Sequence, residues 1–104
     1  MTISELLEQL RQTSVKLEAA NISDGTRDDL EDLISETKRA IIKHSVDPLK
    51  DISQMPAIDV SELKTLSAQL DQDIQNEQKR MALVGKIINI AKGGLRAGGL
   101  PLPF

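Results

Sequence analysis

From residue 60 to residue 92 the chain contains no proline and a single glycine, Gly85. The first strong stop after that run is the Gly93-Gly94 pair. The spacing therefore predicts one helix of about 34 residues, roughly 50 Å long at 1.5 Å per residue. Two earlier segments, residues 3–20 and 27–44, read as helices of only about 27 Å by the same rule. A hairpin that short cannot cover a helix that long. This mismatch limits the possible folds more than any motif in the chain.

The helix starts are written alike. Thr2-Ile3-Ser4-Glu5 is a capping box, with a hydroxyl for the third amide and a carboxylate reaching back. Asp59-Val60-Ser61-Glu62 repeats the logic, and Thr26-Arg27-Asp28-Asp29 is a weaker version with Thr26 as the cap. Met1 with Leu6, and Ile58 with Leu63, form hydrophobic staples. Behind the starts, aliphatic residues recur at three/four spacing: Ile3, Leu6, Leu7, Leu10 and Leu17, then Leu30, Leu33, Ile34, Ile41. Residues 21–25, "NISDG", make a short turn, so the first two helices form an antiparallel hairpin. In the longer connector that follows, Asp47-Pro48 reads as a cap and first helical residue of one short helix, residues 48–53, which Pro56 terminates.

Phe104 is the only aromatic residue, so the core must be aliphatic, which suits helix-on-helix packing better than a β-sandwich. No cysteine is present, which excludes disulfides, thiolate metal sites and thiol catalysis. The N-terminal residues do not have the basic and apolar regions of a signal peptide, and no run is long enough to span a bilayer. A cytoplasmic location is expected.

The net charge of −3 is unevenly spread. Residues 1–78 carry all 16 acids and 8 of the 13 bases; residues 79–104 carry Lys79, Arg80, Lys86, Lys92 and Arg96 and no acid. Two regions of one domain follow: an acidic helical core, 1–78, and a basic, apolar helix end with a Gly/Pro tail, 79–104. Charge asymmetry of this kind points to a partner or an anionic surface; dipole matching within helices is the plainer explanation.

The third helical segment changes character midway. Leu63, Leu66 and Leu70 make an ordinary stripe. "DQDIQNEQKR", residues 71–80, is polar nearly all round and reads as solvated. Beyond it Met81, Val84, Ile88 and Ala91 line one face and Leu83, Ile87 and Ile90 another. Leaving such side chains in water forgoes about 1.5–3 kcal/mol each. Three coverings are open. The segment breaks near Gly85 and folds back on its own hairpin; it pairs with another copy; or it meets a membrane or a different protein. Self-association is the favoured expectation, through Met81, Leu83, Val84, Ile87, Ile88, Ile90 and Leu95, with Leu100, Leu102 and Phe104 as tail anchors. Lys86, Lys92 and Arg96 are the candidates for contact with an anionic partner, including lipid headgroups. The basic end of one copy then meets the acidic hairpin of the next.

No constellation carries chemistry. His44, the single histidine, sits where a helix C-terminus favours it and has no nucleophile–acid partner at useful spacing. Asp71, Asp73 and Glu77 imitate alternating calcium ligands without the glycine or the twelve-residue loop. Asp28, Asp29, Asp32 and Glu36 share one helix side with no matching acids elsewhere. The glycine pairs follow a helix, whereas phosphate cradles precede one. With no stacking aromatics, nucleic acid is an unlikely partner. The expectation is an all-α, non-enzymatic assembly module without cofactor or metal: a helical hairpin, a short connector helix and a long third helix, resembling a three-helix bundle. The alternative is a small membrane-associating protein using the same cationic amphipathic segment.

Overall fold

Thr2 opens the first helix as its sequence requires. Its Oγ1 accepts from the Glu5 amide at 3.1 Å, and the Glu5 carboxylate accepts from the Thr2 amide at 3.1 Å. A computed structural model of the chain describes residues 2–22, 25–49, 60–97, 99–100 and 102. These form α1 (Ile3–Ala19), α2 (Gly25–Lys43), α3 (Val60–Asp73) and α4 (Glu77–Ala97), with no strand among them. The fold is all-helical, with four long elements where three were expected. The caps and staples expected of Met1, Ile58 and Asp59, and most of the short connector helix, lie outside the described residues. Thr26 is not a cap: α2 begins at Gly25, which places Thr26 inside the first turn, buried.

Three of the four helices end in one way. After α1 the Ile22 amide donates to the Leu17 carbonyl and the Asn21 amide to the Glu18 carbonyl, both at 3.0 Å. After α2 Val46 donates to Ile41 and Ser45 to Ile42; after α4 Leu100 donates to Leu95 and Gly99 to Arg96. Each is a Schellman motif, in which the residue past the cap turns left-handed so that the last carbonyls find amides. The left-handed residues are Asn21, Ser45 and Gly99, at φ 59°, 53° and 83°. Each motif also brings an apolar residue back onto the helix. Leu100 and Leu95 are both buried, as the motif's hydrophobic contact requires. The stop of α4 is therefore the second glycine pair and not Gly93-Gly94, which α4 runs straight through.

The long third helix does not exist. It is cut at residues 74–76, not near Gly85, inside the stretch that reads as polar all round. No proline or glycine makes the cut. Asn76 caps α4, its Oδ1 accepting from the Lys79 amide at 3.1 Å. Arg80 then folds back, and its Nη1 donates to the Ile74 carbonyl at 2.8 Å, satisfying an orphan acceptor at the end of α3. Arg80 is consequently buried, although it reads in sequence as part of a solvent-facing basic end.

The cut resolves the length mismatch. Four helices of about 20–30 Å each now lie alongside one another. α1 packs on α2, α2 on α4 and α4 on α3. Arg27 bonds Glu18 at 3.4 Å and Ser14 bonds Glu31, which sets α1 and α2 antiparallel. Lys16 ties α1 to α3, reaching Asp71 at 2.9 Å and Ser67 at 3.2 Å. At the opposite end the Pro48 carbonyl accepts from the Ser4 amide at 2.8 Å, so the connector returns to the start of α1. The core is one aliphatic cluster. α1 gives Ile3, Leu6, Leu10 and Leu17; α2 gives Leu30 and Leu33; α3 gives Leu63, Leu66 and Leu70; α4 gives Leu83, Val84, Ile87, Ile88, Ala91 and Leu95. The buried hydroxyls of Thr13 and Thr37 are satisfied by carbonyls one turn back.

Candidate functional site

The residues expected to form an assembly surface divide sharply. Leu83, Val84, Ile87, Ile88, Leu95 and Leu100 are buried in the core of their own chain. Their covering is the first of the three that were open, a fold-back onto the hairpin. Ile90 and Leu102 are half-buried against the same core, and Phe104 lies outside the described residues. Among the described members of the set Met81 alone stays in solvent, 51% exposed. The physical reason is the turn at 74–76, which swings the apolar segment back over α2 and α3. What α4 leaves outside is therefore a different surface from the apolar stripe.

That outer face is short of bulk and rich in positive charge. Ala82, Lys86, Asn89, Gly93 and Arg96 are exposed along it, and Gly85 is half-exposed at its edge. Beside it runs a cleft of about 400 Å³ between α2 and α4. Asp29 and Asp32 of α2 form one wall; Asn89 and Lys92 of α4 form the other; Leu33, Gly85 and Ile88 lie between. Asp29, Asp32 and Lys86 form no ion pair among the described residues. A Cβ built on Gly85 or on Gly93 meets nothing within 4 Å. Glycine inside a helix costs about 1 kcal/mol relative to alanine. No packing contact among the described residues requires glycine at either position.

The remaining candidates are accounted for by structure. Asp71 is engaged by Lys16 and Asp73 by Lys79, and Glu77 opens α4, where a carboxylate complements the helix dipole. His44 is exposed at the end of α2, its amide donating to the Ala40 carbonyl at 3.0 Å. Among the described residues no three acids or histidines gather as a metal site. No helix among them is long and apolar enough to cross a membrane. Sequence reasoning missed Arg80 and Asn76, the two side chains that make the α3–α4 turn. The signal available was Asn76 followed by Glu77 and Gln78, a capping residue ahead of helix formers.

Comparison of the chain with protein-family models, with curated proteins and with solved structures finds no match in any of the three.

Proposed function

We propose that this chain is a non-enzymatic helical interaction module, working in the cytoplasm, that assembles through its C-terminal helix. The contact surface is the outer face of α4 and the adjoining α2–α4 cleft, in place of the apolar stripe that the fold itself buries. One observation carries the reading: Gly85, in mid-helix, lines the cleft, and a Cβ added there meets nothing within 4 Å among the described residues. A helix surface of small residues allows close backbone approach by a second helix. The remaining exposed charges of α4, Lys86 above all, supply orientation and not affinity.

The test is the mass of the full chain in solution across a concentration series, beside Gly85→Leu. The substitution fills open space, so the bundle stays folded. It obstructs the cleft, so the assembled fraction falls. Assembly that is indifferent to Gly85→Leu places the contact elsewhere. Membrane association through Lys86, Lys92 and Arg96 is the alternative. It requires α4 to leave the bundle before its apolar face meets lipid, and it predicts vesicle binding with loss of the α2–α4 contact.

A further inference from the structure

We infer that the partner in the cleft is a second copy of this chain, related by a two-fold axis parallel to the helices, with the α4 ridge of each copy seated in the α2–α4 cleft of the other. The inference rests on the reading of α4 as an assembly helix and adds the occupant, the symmetry and the charges that fix them.

The cleft is not neutral across its width. Its α2 wall is acidic, with Asp29 and Asp32; the ridge beyond its α4 wall is basic, with Lys86, and no acid follows Glu77 in the chain. A symmetric dimer must place the same surface against itself. A two-fold axis lying across the helices lays α4 on α4 and α2 on α2, bringing cations against cations and carboxylates against carboxylates. A two-fold axis along the helices leaves every residue at its own height. Each α4 then slides into the cleft of its partner and meets the acidic wall. Gly85 lines the same cleft as Asp29 and Asp32, so its neighbour Lys86 on the entering ridge is placed to meet those carboxylates. None of these three groups makes an ion pair among the described residues. The entering ridge is narrow, being Ala82, Asn89 and Gly93 around Lys86, and Gly85 keeps the floor of the cleft open to it.

The contact is small. α4 is about 31 Å long and a two-helix face about 20 Å wide, so a dimer buries about 1,200 Å² in total. That is the lower end of specific interfaces, the range of transient contacts, and its exposed charges make association salt-sensitive.

Sedimentation equilibrium of the full chain tests this, at low and high salt, with Asp32→Lys, Lys86→Asp and the two combined. Both positions are exposed, and unchanged helicity and thermal midpoint confirm intact folds. The expected result is dimerisation that weakens at least tenfold in each single variant and returns to within a few-fold of the parent in the combined one. A transverse two-fold does not restore the combined variant, because each swapped charge again meets its own kind. If the parent dimerises and the single variants match it, this geometry is overturned and assembly through some other face remains. If the parent is monomeric at millimolar concentration, the assembly reading falls with it.

Discussion

Ser45 holds a left-handed backbone at φ 53° and closes the end of α2, a conformation that glycine adopts without steric cost. Replacing Ser45 with glycine is expected to stabilise the chain by about 0.5–1 kcal/mol, read as a higher denaturation midpoint with unchanged slope. Gly99→Ala places a Cβ at φ 83° and is expected to cost about 1 kcal/mol in the same assay. The paired substitutions separate backbone conformation from packing, since a Cβ at Gly99 touches nothing. Charge at single residues matters less. Arg11 donates to Glu8 at 2.8 Å and holds its carboxyl below the ordinary glutamate value. A lowered carboxylate contributes stability above the ordinary glutamate range, which is lost as pH falls through the lowered value. Both groups are in solvent, so Glu8→Gln is expected to flatten only the acid limb of the stability–pH curve, and slightly.

Among the elements, α4 decides the fold. Its start depends on two side chains that read as ordinary surface residues. Asn76→Ala removes the cap and is expected to cost about 1 kcal/mol. Arg80→Met keeps the bulk, strands the Ile74 carbonyl, and is expected to cost about 1–3 kcal/mol in chemical denaturation. Its interior contains the opposite case: Gly85→Ala is expected to raise the stability of the isolated bundle by about 1 kcal/mol, because helix propensity improves and the added methyl meets nothing. The legibility of these elements follows the range of the forces that make them. The start of α1 and its apolar stripe were readable to within a residue, because capping and periodicity are local. The cut between α3 and α4 was not. Residues 71–80 satisfy every local rule for a solvated helix. Only burial on both sides makes a turn there more favourable than one more helical turn.

For the whole molecule, α4 is core. The chain ending at Arg80 lacks Leu83, Val84, Ile87, Ile88, Ala91 and Leu95, and α2 and α3 lose the helix that joins them. Such a chain is expected to show no cooperative thermal transition by circular dichroism. A retained transition makes α4 an appendage. Leu95→Ala is the graded version, expected to cost about 2–5 kcal/mol. Both outcomes bear on assembly, since a helix that holds the monomer together presents only its outer face to a partner.

Read by itself, the sequence determined the class of fold, the aliphatic character of the core, the hairpin of α1 and α2, and the fact that the apolar residues after Met81 must be covered. Those conclusions rest on periodicity, capping chemistry and the cost of leaving aliphatic surface in water, all of which are properties of residues and their near neighbours. What covers those residues was decided by tertiary structure. A fold-back and a second copy bury the same side chains for the same hydrophobic gain. Choosing between them depends on whether a turn at Ile74–Asn76 can be closed, and the hydrogen bonds from Arg80 and to Asn76 close it. The same choice moved the candidate site from the apolar stripe of α4 to its glycine-containing outer face.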